Sequence, residues 1–342
     1  MIAARRGRDV PLAPHGGRNA AATGVRHDFS VCLNAFGPAS SVLDAIRISP
    51  VDEYPDPLSL GARAVAAAAW SVPIHDVLLA AGSAELIDLV CRAFVTPGDV
   101  VAVDSPAFGE YERAARIYGG RILHGLDDAA RVVFTCSPSN PFGQVRSVDE
   151  LRSVADRCAE RGTLLVVDQA YDAFTDCPTG TPLLAGHPAV LHLRSLTKDH
   201  ALAGIRVAFA IGRSDILEAL NAVRVPWSVS SAAQRAAAAT FEAEAGSHVA
   251  RTTRELRRES VRMRDSFAAM GYETNDSRTH FFTVRVRSAA SAQRALLDRF
   301  LILVRDCASF GLPDRIRVAA RQPSANDELL RAMFDLSSTL QP

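Results

Sequence analysis

Short apolar runs alternate with amphipathic stretches through the middle of the chain. Six runs rich in β-branched residues occur between residues 77 and 211, and the stretches between them have the apolar spacing of helices. This alternation is typical of a mostly parallel sheet covered by helices on both faces, an α/β fold. The runs are VLLA (77–80), VVAV (100–103), RVVFTC (131–136), TLLVVD (163–168), VLHL (190–193) and RVAFAI (206–211).

The pattern changes after about residue 230. Alanine- and arginine-rich sequence over 231–270 predicts one or two long connecting helices. The runs FFTVRV (281–286), LILVRD (301–306) and RIRVAA (315–320) with intervening helical segments then indicate a small α+β unit. We therefore expect four parts: an N-terminal arm (1–40), a large domain (41–230), the connecting helices (231–270) and a small C-terminal domain (271–342).

Composition narrows the kind of protein. Apolar residues make up 48% and charged residues 22%, the balance of a soluble globular protein, and the formal net charge is zero. A neutral chain gives no sign of a nucleic-acid partner, and no apolar run is long enough to span a membrane. The six cysteines form no CxxC pair and indicate reduced thiols, without a metal site, in a cytoplasmic protein. We expect small-molecule partners or a second copy of the chain.

Residues that could bind a ligand or react with it follow several of the predicted strands. Ser83 and Ala84 come after VLLAAG, Asn140 follows RVVFTCSPS, Asp168 ends TLLVVD, and Lys198 follows VLHLRSLT. Because ligands of doubly wound sheets bind at the carboxyl ends of strands, we expect these residues to share one cleft.

Lys198 is the only lysine among the 38 lysine and arginine residues. Arginine stays protonated inside proteins, whereas a lysine can lose its proton and act as a nucleophile. Because every other Lys or Arg position is an arginine, we expect that the amine of Lys198 is needed for a reaction.

These residues lie in strings that resemble the fold-type I pyridoxal-phosphate enzymes, in the branch of the class I/II aminotransferases. The resemblance implies a seven-stranded, mostly parallel sheet between helices in a large domain and a small α+β C-terminal domain. The strings are YPDP (54–57), AAGSAELI (80–87), SPAFGEY (105–111), CSPSNPFG (136–143), VVDQAY (166–171), SLTKDHALAGIR (195–206) and RIRVAAR (315–321).

The resemblance implies a cofactor, pyridoxal 5′-phosphate, and assigns residues to its ring. Lys198 would form the Schiff base and afterwards move the proton at the substrate's α-carbon. Asp168 would lie beside the ring nitrogen and favour its protonated form. Asn140 and Tyr171 match residues that hydrogen-bond the phenolic oxygen, and Phe108 matches the aromatic residue that stacks on the ring.

The cofactor phosphate would lie at a helix N-terminus. By the resemblance it is bound by Ser83 and Ala84, by Ser195 three residues before the lysine, and by Arg206 eight residues after it. Tyr54 matches a residue that reaches the phosphate of the neighbouring subunit, which implies a homodimer with shared active sites.

The substrate site is also implied by resemblance. Arg317 matches the arginine that binds the substrate α-carboxylate. Further strings resemble the L-threonine-O-3-phosphate decarboxylases, and they imply that His15, the Gly16 amide and Arg305 bind an anion at the far end of the substrate, with Asn34 also in the substrate site. These strings are HGGR (15–18), DFSVCLNAFGP (28–38), FGEYERA (108–114), PWSVS (226–230) and VRDCASFGL (304–312).

Two reactions stay open at this point. Histidinol-phosphate aminotransferases share the core motifs and also act on a substrate with a distal phosphate. The chain departs from the decarboxylase pattern, so we expect an aminotransferase of an amino acid or amine first and a decarboxylase as the alternative. The departures are Cys32, Ala35, Phe142, Gln169, Ser230 and the run Lys198-Asp199-His200.

Two alternatives from other classes fit less well. A ligand-sensing regulator on this fold would carry a winged-helix domain before the aminotransferase-like part, and only about thirty residues precede LNAFGP here. A nicotinamide-dependent dehydrogenase would need a GxGxxG turn after its first strand, and AAGSAE lacks that glycine spacing.

Overall fold

A computed structural model describes residues 9–17, 24–176 and 184–341. The strands are β1 (His27–Asp28), β2 (Val77–Ala80), β3 (Val100–Val103), β4 (Arg121–His124), β5 (Val132–Cys136), β6 (Leu164–Asp168), β7 (Val190–Ser195), β8 (Ala208–Gly212), β9 (Phe281–Arg285), β10 (Ile302–Leu303), β11 (Arg305–Asp306) and β12 (Arg315–Ala319). The helices are α1 (Ser40–Arg47), α2 (Leu60–Trp70), α3 (Ser83–Phe94), α4 (Glu110–Ile117), α5 (Val148–Arg161), α6 (Ser214–Val223), α7 (Ser231–Ala239), α8 (Ala243–Ala269), α9 (Ala289–Phe300), α10 (Pro323–Asp335) and α11 (Ser337–Leu340).

The central sheet has seven strands in the order β2-β8-β7-β6-β5-β3-β4. Strands β3 to β7 are parallel, and β8 pairs antiparallel with both β7 and β2. Every residue of β2, β5, β6 and β8 is buried, as expected for strands covered on both faces. The mostly parallel sheet predicted from the apolar runs is confirmed.

Helices cover both faces of this sheet. On one face α3, α4 and α6 pack their apolar sides against the strands, with Leu86, Tyr111 and Leu220 fully buried. On the other face α2, α5 and α7 do the same. Because β5, β6 and β7 are parallel, their carboxyl ends lie at the same edge of the sheet.

The C-terminal strands form a second core. Strands β9, β12 and β11 make an antiparallel sheet that packs with α8, α9 and α10. The N-terminal segment joins this core, because β1 pairs parallel with β10 and the Phe29 side chain is buried there. This pairing carries residues 9–17 towards the carboxyl edge of the central sheet.

Two details differ from the sequence-based expectation. The run LILVRD is not one strand, since its first half pairs with β1 and its second half with β12. Strand β4 has no counterpart among the predicted runs, because it is an edge strand with mostly exposed side chains. Within the described part of the chain, no helix is long and apolar enough to cross a membrane.

Candidate active site

A cavity of about 460 Å³ opens at the carboxyl edge of the central sheet. Side chains from β5, β6 and β7, from the start of α3 and α4, and from β11 and β12 all reach it. Of the residues predicted for the site, the cavity lining includes His15, Gly16, Ser83, Ala84, Phe108, Asn140, Asp168, Tyr171, Ser195, Lys198, Arg206, Arg305 and Arg317.

Lys198 lies in the loop after β7, where it is half-buried in the cavity lining. The amine is 6.0 Å from the centre of the Tyr171 ring, and the Lys198 carbonyl accepts a hydrogen bond from the Asn34 N–H at 2.8 Å. Burial lowers the pKa of the amine below its usual range, and the positive charge of Arg317 acts in the same direction. A lowered pKa increases the share of the amine that is neutral, and so nucleophilic, at a given pH.

Asp168 ends β6 with its carboxylate buried. The Tyr111 hydroxyl donates to its Oδ2 at 2.7 Å, and the Ala170 N–H donates to its Oδ1 at 3.0 Å. Burial raises the pKa of this carboxyl, whereas both hydrogen bonds and the charge of Lys198 oppose that rise. The site thus presents a hydrogen-bonded acid at the cavity floor.

Arg317 on β12 reaches across the cavity to the central sheet. Its Nη1 donates to Asn140 Oδ1, and its Nη2 donates to the Ser30 carbonyl at 2.6 Å. Its Nε is buried and has no hydrogen-bond partner among the described residues. Both acceptors are neutral, so the guanidinium keeps its full charge and a donor for an incoming anion.

The N-terminus of α3 and Arg206 form a cradle. Gly82 precedes the helix with φ +92°, and a Cβ at this position would lie 2.7 Å from Arg206 Nη2. The Ser83 hydroxyl is buried and finds no partner within the described residues. The first amides of a helix have no partner within it, so the cradle offers N–H, hydroxyl and guanidinium donors to one anion. Ser195 belongs to the same lining, and its Oγ accepts a hydrogen bond from the Thr197 N–H at 3.3 Å.

Two aromatic residues enclose the cavity from different sides. Phe108 lies before α4, with its ring centre 5.4 Å from His15 and 5.8 Å from Tyr111. Tyr171 follows β6 and packs edge-on against Phe281 at 4.8 Å. Phe108 thus adds an aromatic side chain to the lining that also contains Asp168.

The N-terminal segment closes the far end of the cavity. His15 Nε2 is 2.8 Å from Glu110 Oε1, and Arg305 Nη2 donates to the Pro14 carbonyl and to Ser309 Oγ, both at 2.7 Å. Gly16 passes so close to the Ser30 carbonyl that a Cβ would lie 2.4 Å from its oxygen. These contacts bring residues distant in sequence together at one end of the site.

Two predicted site residues lie outside the lining. Asn34 is buried behind Lys198, where its side-chain amide donates to the Asp199 carbonyl and to Thr252 Oγ1. Its contacts support the lysine loop rather than the cavity. Tyr54 is 83% exposed on the molecular surface, with its ring 5.1 Å from that of Trp227.

Other lining residues were not predicted for the site. Tyr111 and Glu110 lie in the first turn of α4. Cys32, which the sequence comparison had marked as a departure on the substrate side, does line the cavity. Burial raises the pKa of the Cys32 thiol, which is therefore a neutral part of the wall. Tyr111 reads as an ordinary core residue in the sequence, so no local pattern marked it for the site.

Comparison with known proteins shows the family to which the chain belongs. A family model described as "Aminotransferase class I and II" matches residues 43–333. The chain belongs to this aminotransferase family. It is 34% identical to a histidinol-phosphate aminotransferase of Haloarcula marismortui, covering 90% of this chain and 88% of the relative. Its identity to histidinol-phosphate aminotransferase 2 of Pseudomonas aeruginosa is 32%, over 88% and 86%.

Solved structures of other aminotransferases and of a decarboxylase share the fold. A histidinol-phosphate aminotransferase of Sinorhizobium meliloti, in complex with pyridoxal 5′-phosphate, aligns with a TM-score of 0.83 at 23% identity over 92% of this chain and 91% of that one. An L-threonine-O-3-phosphate decarboxylase of Porphyromonas gingivalis gives 0.77 at 24%, over 91% and 99%. The predicted fold-type I architecture is confirmed, and the enzyme is a pyridoxal-phosphate-dependent aminotransferase, as predicted.

The residues of this aminotransferase fit the cofactor. The unpartnered Ser83 hydroxyl and the space that Gly82 leaves before Arg206 match a phosphate group. Asp168 supplies a hydrogen-bonded carboxyl, Lys198 an amine and Phe108 an aromatic face in the same cavity. One planar, phosphorylated aldehyde can meet all of these groups at once.

Proposed function

We propose that this aminotransferase acts on a small amine or amino acid that carries a second anionic group, such as the phosphate of histidinol phosphate. The observation that carries the proposal is Arg305 at the far end of the cavity, hydrogen-bonded only to the neutral oxygens of Pro14 and Ser309 within the described residues. A buried guanidinium without a carboxylate partner favours an anionic ligand. The names of the relatives from Haloarcula and Pseudomonas agree with a phosphorylated substrate.

Different residues of the cavity bind different groups of the cofactor. Ser83, Ala84, Ser195 and Arg206 hold the phosphate of pyridoxal phosphate, which supplies an electron sink for the substrate α-carbon when bound. Asp168, by its negative charge, would hold a proton at the ring nitrogen. Asn140 and Tyr171 would donate to the phenolic oxygen, and Phe108 would hold the face of the ring.

Lys198 and Arg317 act on the substrate. The lysine, once its amine is free, removes the proton from the α-carbon and returns one during transfer, and its lowered pKa keeps it a base. Arg317 holds the carboxylate of the amino acid or 2-oxo acid, using the Nε that lacks a partner in the described structure. His15, the Gly16 amide and Arg305 hold the distal anion.

We also propose a homodimer in which Tyr54 donates to the cofactor phosphate of the second subunit. The exposed ring of Tyr54, packed only against Trp227 among the aromatic contacts described, supports this role.

The five cysteines of the described residues are free and buried, which suits a reducing, cytoplasmic setting. Cys177 lies outside those residues.

The test compares phosphorylated and dephosphorylated amines. With 2-oxoglutarate as acceptor, histidinol phosphate is expected to react with a KM at least tenfold lower than histidinol, since one charge-assisted contact contributes about 1.5–3 kcal/mol. R305Q should remove most of this difference, whereas R299Q, an exposed arginine on α9, should not.

Two results would contradict the proposal. Equal kinetics for the phosphorylated and dephosphorylated amine would exclude a distal anion site. Release of carbon dioxide from L-threonine-O-3-phosphate, with no amino transfer to any 2-oxo acid, would favour the decarboxylase alternative.

A further inference from the structure

Tyr111 occupies a fixed position under the candidate cofactor site. It is fully buried in the first turn of α4, and its ring stacks on Phe134 of β5 with centres 5.0 Å apart and planes 6° apart. Its hydroxyl donates to Asp168 Oδ2 at 2.7 Å. The stacked ring leaves the hydroxyl little freedom, so this hydrogen bond has a defined direction.

The hydrogen bond from Tyr111 compensates for the loss of hydration when the Asp168 carboxylate is buried. A buried carboxylate is disfavoured unless hydrogen bonds or opposite charges compensate for lost hydration. The Ala170 N–H donates to Oδ1 of Asp168, and the Tyr111 hydroxyl donates to Oδ2. A donor to the ionised form stabilises that form, so the hydroxyl of Tyr111 supports the negative charge that a protonated ring nitrogen needs.

The same residue also contacts the stacking ring. Tyr111 meets Phe108 edge-to-face, at 5.8 Å and 85°. One side chain thus connects the residue proposed to lie over the cofactor ring with the residue proposed to lie beside its nitrogen.

We propose that Tyr111 is a positioning residue that keeps Asp168 ionised and directed into the cavity, and so makes the site select a cofactor ring that can be protonated. The proposal rests on the role proposed above for Asp168. Tyr111 acts through Asp168 and needs no contact of its own with the cofactor.

The test measures binding of two probes to the apoprotein at neutral pH. One is pyridoxal phosphate and the other is its 1-deaza analogue, in which CH replaces the ring nitrogen. Wild type is expected to bind pyridoxal phosphate more tightly. Y111F should lower this preference about tenfold, the effect of one hydrogen bond to a charged group.

Y118F is the matched control. The Tyr118 hydroxyl also donates to a carboxylate, Asp88, at 3.2 Å, but it lies outside the cavity lining. This variant should keep the wild-type preference. If Y111F weakens both probes equally, its role is only structural and the proposal is wrong.

D168N separates this inference from the proposed function. It should abolish the preference, and if it does not, the role of Asp168 itself is wrong. If D168N loses the preference and Y111F keeps it, only the inference about Tyr111 fails.

A second variant covers the case that Y111F apoprotein does not fold. Site-specific replacement of Tyr111 by 3,5-difluorotyrosine keeps the ring and hydroxyl and makes the hydroxyl a stronger donor. The preference for pyridoxal phosphate should then increase, and an unchanged or smaller preference would contradict the proposal.

Discussion

The amine of Lys198 should make the apoprotein less stable than a variant with an apolar side chain at this position. Its pKa is lowered mainly by burial, so the unfolded chain binds this proton more tightly than the folded chain. We expect K198M to stabilise the apoprotein by about 1–2 kcal/mol at pH 7, measured by urea unfolding.

The gain should depend on pH in one direction. The advantage of methionine should fade as pH rises from the lowered pKa of the folded lysine to the unfolded pKa of about 10.4, above which the amine is neutral in both states. K198R, which keeps the charge, should bring no gain. A K198M apoprotein that is less stable than wild type, or a gain independent of pH, would contradict this account.

Gly82 should be essential for the phosphate cradle. An alanine there would force a Cβ to 2.7 Å from Arg206 Nη2 at a φ of +92°, a conformation that L side chains rarely adopt. We expect G82A to weaken binding of pyridoxal phosphate at least about tenfold, measured by titration of the apoprotein.

Pyridoxal, which lacks the phosphate, tests whether the effect is local. Its affinity should change little in G82A. The control G246A adds a Cβ into open space on α8 and should leave both affinities unchanged. A G82A variant that loses affinity for both ligands equally would argue against a phosphate site at this helix.

At the scale of elements, the N-cap of α5 makes a separable contribution to stability. Ser147 Oγ accepts from the Glu150 N–H, and the Glu150 side chain accepts from the Ser147 N–H, which forms a capping box. S147A should lower the free energy of unfolding by about 1 kcal/mol in chemical denaturation. S153A, exposed within the same helix, should change it by less than about 0.5 kcal/mol; equal losses would show that the cap contributes nothing specific.

Local pattern predicted the buried elements well and the exposed ones poorly. VLLA and VVAV coincide with β2 and β3, because strands buried on both faces consist of apolar residues only. The exposed strand β4 has no such signature. The division of LILVRD depends on pairing with β1, almost 280 residues earlier in the chain, which no local pattern reports.

The candidate site shows the same limit at the level of side chains. Lys198 and Asp168 were predicted because they follow strands and match family motifs. Tyr111 reads as an ordinary core residue in sequence, and its bond to Asp168 arises from the packing of α4 on β5 and β6. Asn34 has the right position in the motif, yet its amide is engaged behind the lysine loop.

At the scale of the whole molecule, exposed apolar side chains concentrate in two neighbouring segments. Residues 48–60 and 225–227 are linked by the Tyr54–Trp227 contact and by a hydrogen bond from Arg224 to the Pro57 carbonyl. A contiguous exposed apolar patch of this kind favours a protein partner. It comprises Ile48, Val51, Tyr54, Leu58, Leu60, Val225 and Trp227.

A charge in this patch should separate the proposed dimer. V51D, at a side chain that is 96% exposed, should sediment as a monomer and bind pyridoxal phosphate more weakly, because Tyr54 of the second subunit is lost. V261D, on the exposed side of α8, should remain dimeric. A wild-type monomer at micromolar concentration, or a dimeric V51D, would contradict the homodimer.

Covalent attachment of the cofactor to Lys198 is the step on which the proposed function depends most. The most direct test is borohydride reduction of the protein loaded with pyridoxal phosphate, followed by proteolysis and mass spectrometry. Because Lys198 is the only lysine, the N-terminal amine is the one competing primary amine in the sequence. We expect the phosphopyridoxyl group on Lys198 and its loss in K198A. Labelling elsewhere, or a K198A protein that still carries the group and its visible absorbance, would contradict it.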